Sequence, residues 1–261
     1  MNKVEMFRGL MSLEGKVALV AGGAGEIGLA IGQALSAYGC KVLLTGRTEE
    51  KAQAAVEAIR SAGGRAEARP FTVDDAAAVE GFMESLHKDY KKMDVLVNCI
   101  GTHIETPAEE YREADWDHIM NVNLKTAFFL SKEAAKRQIP NGGGKQIHVS
   151  SVRGGLGITR GYISYCSSKG GMNMMIRQLA SEWGKYKINV NGISPTFTRT
   201  ALVAKYLDDP AFYEPLVARI PLGRVAETRD IAGLALYLAA PISDFLTGQI
   251  IYMDGGITAR Q

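Results

Sequence analysis

Apolar positions along the chain follow two rhythms. Short, almost continuously apolar and β-branched runs occur at residues 16–21, 41–45, 65–72, 94–98, 145–150, 187–193 and 249–253. Between them lie longer stretches, at 27–38, 49–62, 75–90, 114–137, 162–183 and 228–240, where apolar side chains recur every three to four positions. The runs predict seven strands and the stretches predict helices. A strand wet on one face would alternate apolar with polar residues. These runs do not, and the first six are followed by segments long enough for crossover helices, so the sheet should be parallel and covered on both faces. One interval departs from the rhythm. Residues 196–227 contain Pro210, Pro215 and Pro221 and predict short helices outside the sheet, where a long excursion after a strand's carboxyl end covers substrate.

The pattern therefore predicts an α/β fold, a doubly wound parallel seven-stranded sheet flanked by helices in the Rossmann manner. A single domain over 14–261 follows an N-terminal extension over 1–13. Composition narrows the partners. With 261 residues, 22% of them charged, and a formal charge of +2, there is no basic or acidic excess to mark a nucleic-acid or membrane-surface partner. Residues 1–13 carry Lys3, Glu5 and Arg8 and lack the apolar core of a signal peptide, and no apolar run elsewhere is long enough to span a membrane. Three cysteines, Cys40, Cys99 and Cys166, show neither CxxC nor Cys/His spacing, which speaks against a disulfide framework and a metal site and for a reducing cytoplasm.

The first strand runs into Ala21-Gly22-Gly23-Ala24-Gly25-Glu26-Ile27-Gly28, where a helix begins. Glycines at such a turn let backbone approach a pyrophosphate, whose charge meets the helix amides and the positive end of its dipole. Glu26 is an awkward neighbour for phosphate: it either points at the cofactor and repels it or turns outward as a favourable helix-start anion. At the end of the second strand, Arg47 takes the place where an acidic residue would bind a ribose 2′-hydroxyl. It favours NADP by gripping a 2′-phosphate, with NAD not excluded, or it is a solvated helix-start cation.

Ser150-Ser151-Val152-Arg153-Gly154 precedes Tyr165-Cys166-Ser167-Ser168-Lys169. Tyr165 and Lys169 stand one helical turn apart and share a face. A phenol serves as a base near neutrality only if its anion is stabilised, and a lysine cation one turn away is expected to lower its pKa. Ser151, at the carboxyl end of strand five, is placed to hydrogen-bond a substrate oxygen. Tyr162 has Cys166 four residues later instead of a lysine and reads as a wall or core residue. His103 and Arg153 follow strands four and five at the ligand-bearing ends, and either could meet a hydroxyl-rich or acidic substrate. His148 reads as a satisfied core histidine, Cys166 as packing, and Met172, Met174 and Met175 as gap fillers.

On these residues the chain resembles the short-chain dehydrogenase/reductase family over nearly its whole length. The family's glycine turn resembles residues 21–28, bringing Gly22, Gly25, Glu26, Ile27 and Gly28 to the cofactor. Its Asn-Asn-Ala-Gly motif resembles Asn98-Cys99-Ile100-Gly101. Its catalytic Asn, Ser, Tyr and Lys match Asn123, Ser151, Tyr165 and Lys169, with Asn123 implied to sit on a locally bent helix that seats a water relay to the lysine. The stretch Pro195-Thr196-Phe197-Thr198-Arg199-Thr200 resembles the family's Pro-Gly motif and implies nicotinamide contacts from Pro195, Thr198 and Thr200. Thr72 and Val73 fall where the family contacts adenine. Ala21, Glu26, Thr72, Cys99 and Thr196 depart from the pattern, all on the cofactor side.

The resemblance implies hydride transfer between a nicotinamide dinucleotide and a small-molecule secondary alcohol or ketone. Tyr165 would exchange the proton, Ser151 hold the oxygen, and Lys169 bind the nicotinamide ribose while lowering the tyrosine pKa. The closing region, from Ile220-Pro221-Leu222-Gly223-Arg224 to Asp254-Gly255-Gly256, looks most like the gluconate 5-dehydrogenase-like branch, which acts on sugar acids, polyols and related hydroxy compounds. A neighbouring branch reduces 3-oxoacyl thioesters on acyl carrier protein. A dinucleotide-binding regulatory protein without turnover is the reading from another class. The resemblance further implies a homotetramer.

Overall fold

The computed structural model describes residues 3–72 and 76–260. Seven strands, β1 (Val17–Ala21), β2 (Lys41–Leu44), β3 (Arg65–Ala68), β4 (Val95–Asn98), β5 (Gly144–Val149), β6 (Ile188–Pro195) and β7 (Ile250–Met253), form one parallel sheet in the order β3-β2-β1-β4-β5-β6-β7. The helices are α1 (Lys3–Leu10), α2 (Glu26–Ala37), α3 (Glu49–Arg60), α4 (Ala76–Asp89), α5 (Glu113–Met120), α6 (Thr126–Gln138), α7 (Ile163–Trp183), α8 (Ala201–Leu207), α9 (Pro210–Val217) and α10 (Thr228–Ala239).

Burial explains why the strand runs are continuously apolar. Ala18, Val20, Val42, Leu44, Val95 and Val97 pack on one side of the sheet with Ile31, Leu35 and Ile231, from α2 and α10. Their alternates Leu19, Ala21, Leu43 and Leu96 pack on the other side with Val79, Met83, Leu86 and Leu130, from α4 and α6. Successive side chains point to opposite faces, so a strand buried on both sides needs every position apolar. The strand order reverses at β1, which pairs with β2 on one flank and β4 on the other. The two crossovers diverge there and leave a crevice beyond the carboxyl ends of β1 and β4.

Three elements differ from the sequence pattern. The third strand ends at Ala68, level with the end of its partner β2 at Leu44; beyond it Arg69 and Phe71 still donate to the Leu44 and Gly46 carbonyls at 2.8 and 3.1 Å, and Phe71 stacks on Phe82 at 4.3 Å between ring centroids. The helix expected over 114–137 is two helices joined by a π-helical turn, Asn121–Lys125. Residues 3–10 of the extension form α1, which buries none of its side chains, while Leu13 behind it is fully buried. In the proline-rich interval, Asp209 accepts a hydrogen bond from the Ala211 amide and Pro210 opens α9, as helix-start chemistry requires.

Candidate active site

Gly22, with φ of +78°, lies so close to the next strand's end that a Cβ there would stand 3.1 Å from the Cys99 carbonyl carbon. A Cβ on Gly28 would strike the Gly22 carbonyl oxygen and stand 2.8 Å from the Gly23 Cα. Both positions require glycine for the turn to fold under α2. Gly25 occupies the N-cap of α2 and has no side chain to cap it, so the first-turn amides of Glu26, Ile27 and Gly28 remain open to an anion. That cradle fits a dinucleotide pyrophosphate. Glu26 is neither simply aimed at the helix amides nor free in solvent: its Oε1 accepts a hydrogen bond from the Ala201 amide at 2.7 Å, joining the glycine turn to the start of α8. Ile27 packs against the core.

Arg47 is exposed just past β2, and its carbonyl accepts from the Thr72 hydroxyl at 3.4 Å. Val73, with Asp74 and Asp75, lies outside the described residues. Asn98 is buried; its Oδ1 accepts from the Ile100 amide at 3.1 Å, and its Nδ2 meets His148 Nδ1 at 3.5 Å. Its side chain thus shapes the turn that presents Gly101. His148 also meets Ser131 Oγ at 3.0 Å, and burial holds its imidazole neutral, lowering its pKa to about 3. Pro195 ends β6, Thr198 is buried with its hydroxyl donating to the Thr196 carbonyl at 3.3 Å, and Thr200 is the N-cap of α8.

Asn123, Ser151, Tyr165 and Lys169 converge at the carboxyl ends of β4 and β5. The π-helical turn aims Asn123 into the protein, where Nδ2 donates to the Thr102 carbonyl at 2.9 Å and to Ser168 Oγ at 3.0 Å, while Oδ1 accepts from the Thr102 amide at 2.8 Å. Lys169 Nζ donates to the Val149 carbonyl at 2.9 Å and lies 5.8 Å from the Tyr165 ring centroid. Lys169 Nζ and Asn123 Oδ1 both border Gly101, 3.4 and 3.6 Å from where its Cβ would be. Ser151 caps a 3-10 turn, Val152–Gly154, its Oγ accepting from the Arg153 amide at 3.1 Å. Gly154 presses onto α7, with space for a Cβ blocked by the Asn173 amide and, at 2.8 Å, by the Lys169 carbonyl.

The electrostatics correct one expectation. Lys169 does not bring the Tyr165 phenol below its ordinary pKa. Burial raises it, and the opposing pulls come from a hydrogen bond with Ser151 and the charge of Arg153. Lys169 is only 3% exposed, and the same burial lowers its own ammonium to about 8. The Cys99 thiol beside it is pushed up to about 12.

The mouth is aromatic and cationic. The His103 ring lies 5.3 Å from Tyr162 and 6.0 Å from Tyr165, centroid to centroid, so His103 and Tyr162 wall the reactive phenol. Cys166, expected only to pack, is within electrostatic reach of Tyr165 and Arg153. Sequence reasoning missed the rim itself. Arg160 pairs with Glu105 through two hydrogen bonds of 2.7 Å, and its guanidinium lies over Tyr162, Tyr206 and Phe212 at 5.5–5.8 Å. Residues 55 positions apart leave no periodic trace.

The Lys169 shift carries a consequence for stability. Its folded pKa lies below that of the unfolded chain, so the unfolded state binds more protons between about 8 and the ordinary lysine value. The cost of the buried charge is full below that window and is relieved as pH rises through it. Lys169→Met should stabilise the protein by about 1–3 kcal/mol at pH 7, after the lost Val149 hydrogen bond is deducted. The gain should shrink above pH 8 in denaturant titrations, and a pH-independent gain would contradict a buried charge as its source.

The family model described as enoyl-(acyl carrier protein) reductase matches residues 22–258. Gluconate 5-dehydrogenase of Gluconobacter oxydans is 32% identical over 249 residues, 95% of this chain and 97% of that one. D-threitol dehydrogenase of Mycolicibacterium smegmatis is 34% identical over 250 residues, 95% of each. The crystal structure of a gluconate 5-dehydrogenase from Burkholderia cenocepacia, in complex with NADP and tartrate, superposes with a TM-score of 0.93 at 30% identity, covering 98% of this chain and 100% of that one. With the parallel sheet, the glycine turn and the Ser151, Tyr165 and Lys169 cluster in place, the chain belongs to the short-chain dehydrogenase/reductase family of oxidoreductases.

Proposed function

We propose that this protein transfers a hydride between a nicotinamide dinucleotide and a secondary alcohol or ketone in a polyol, sugar or sugar acid. The observation that carries the reading is the convergence of Asn123, Ser151, Tyr165 and Lys169 beside the open α2 amides. The dinucleotide, when bound, supplies or accepts the hydride. The chain's own residues orient the substrate and move the proton. The Tyr165 hydroxyl gives its proton to the carbonyl oxygen in reduction, and in oxidation the Tyr165 phenolate takes one from the alcohol. Ser151 donates to the same oxygen. Lys169 would hold a nicotinamide ribose, and Asn123 fixes the loop around Thr102 against α7. The gluconate and threitol relatives support the substrate class. A 3-oxoacyl thioester is the competing substrate, and the gluconate and threitol relatives favour the smaller one.

For the cofactor we favour NADP through Arg47, exposed and with no ion pair among the described residues, together with Gly22, Gly25, Gly28, Gly101 and the 195–200 segment. A cytoplasmic homotetramer completes the proposal. Among the described residues no helix is long and apolar enough to cross a membrane, and Phe128 on α6, Tyr252 on β7 and Phe245 leave apolar surface open, at 39%, 40% and full exposure.

Tyr165→Phe should lower kcat about 100- to 10,000-fold with NADPH affinity retained. Because burial raises the phenol's pKa, little phenolate exists at neutrality, so wild-type alcohol oxidation should climb with pH and ketone reduction should not. Retained turnover in the variant would remove Tyr165 from the chemistry, and tight NADPH binding without turnover on sugar acids, polyols, ketones or 3-oxoacyl thioesters would favour a regulatory protein. Arg47→Ala should weaken NADPH about 10- to 100-fold and leave NADH nearly unchanged by fluorescence titration; an unaltered ratio would make Arg47 a solvated cation. Light scattering of the purified chain should give four times the monomer mass, and a monomer would refute the assembly.

A further inference from the structure

We propose that Arg153 is a carboxylate anchor which makes the mouth beside Tyr165 selective for small hydroxy or keto acids over neutral polyols of the same shape. The proposal deepens the reading above and rests on Tyr165 and Ser151 being the reacting pair.

Arg153 stands two residues after Ser151, on a turn that cannot drift. Its own amide donates to Ser151 Oγ, and the adjacent Gly154 is pressed against α7. The root of the guanidinium is therefore tied to the group that would hold the substrate oxygen. The side chain is half-buried and spends one donor, Nη1, on the Gly157 carbonyl at 2.8 Å. Among the described residues its remaining donors have no partner in the chain, although a guanidinium presents five.

The neighbouring arginines differ. Arg160 is matched by Glu105, Arg224 by Asp230, and Arg199 lies 3.8 Å from Glu227. Arg153 and Arg219 make no ion pair among the described residues. Burial acts most on Arg153, followed by the charges of Cys166, Arg219, Tyr162 and Tyr165. Burial and the like charge of Arg219 both work against its cation. A half-enclosed guanidinium without a counter-ion is costly to hold, and a bound anion relieves that cost through charge-assisted, bidentate hydrogen bonds.

Distance identifies the anion. The Arg153 amide donates to Ser151 Oγ at 3.1 Å, two residues from the group that would hold the reacting oxygen, so the charge this arginine receives is expected only a few bonds from the reacting carbon. A small hydroxy acid meets that requirement. A thioester on a phosphopantetheine arm does not, because its phosphate lies many bonds from the carbonyl. The cofactor's phosphates are drawn elsewhere, to the α2 amides and Arg47.

Calorimetry with NADP present, using tartrate and its neutral counterpart threitol as probes, tests the anchor without requiring turnover. Tartrate should bind the wild type, and Arg153→Gln should weaken it about 10- to 100-fold. Arg153→Lys should fall between the two, Arg219→Gln should lose less, and Tyr165→Phe should retain tartrate binding. Kinetics supply the second arm: kcat/KM for gluconate should exceed that for gluconamide about tenfold or more, and Arg153→Gln should collapse the ratio mainly through KM. Should Arg153→Gln fail to fold, Arg153→Met and the wild-type acid-to-amide ratio decide. Tartrate affinity indifferent to Arg153, or an acid-to-amide ratio near one, overturns the proposal. Arg153-dependent tartrate binding with no turnover on any alcohol would instead retain the anion site and refute the hydride-transfer reading.

Discussion

A buried ammonium governs the architecture of the site. Lys169 Nζ is held under the Val149 carbonyl at the end of β5, next to Gly101 after β4 and Asn123 in the π-helical turn. Three separate elements must therefore meet at one charge. Gly154 has to lack a side chain so that the β5 turn can lie on α7, and Asn123 has to face inward, which an unbroken α-helix over 113–138 would not arrange in the same way. The charge costs stability at neutral pH. A protein bearing that cost places the group where a ligand's hydroxyls and charge can use it.

Tyr165 takes its character from the same burial. Its phenol is raised, and what restrains the rise lies on the substrate side of the ring, in Ser151 and Arg153. The residues proposed to hold the substrate thus also temper the rise that burial imposes on Tyr165. On the rim, arginines divide into two kinds. Arg160 is neutralised by Glu105 and seated on Tyr162, Tyr206 and Phe212, which makes it a structural tie between the β4 loop, the approach to α7 and the α8–α9 segment. Arg153 is left with open donors. Glu26 makes a comparable tie on the cofactor side, where its carboxylate holds the first amide of α8. The segment that begins α8 is thereby bound to the glycine turn.

Most of the fold was legible in the chain. The seven apolar runs correspond to β1 to β7 within a few residues, and the spacing of Tyr165 and Lys169 placed both on one face of α7. Such features are local: strand and helix periods, and the geometry of one helical turn, are written in consecutive residues. The π-helical interruption at 121–125 left no mark in the periodicity, because its apolar spacing still reads as a helix; only the family resemblance implied a bend at Asn123, and the bend goes with what Asn123 bonds outside its own segment. The early end of β3 was hidden likewise, since an apolar stretch does not say where its partner strand stops.

By itself the sequence determined the doubly wound sheet, the glycine turn and the identity of the Ser151, Tyr165 and Lys169 chemistry, for each rests on residue type and short-range spacing. Only the tertiary structure decided which way Glu26 turns, why Tyr165 is raised rather than lowered, and which rim arginine has a carboxylate and which does not. Those outcomes depend on desolvation and on pairs as distant as Glu105 with Arg160 or Glu26 with Ala201. Burial and charge pairing are properties of enclosed space, and a linear chain encloses none until it folds.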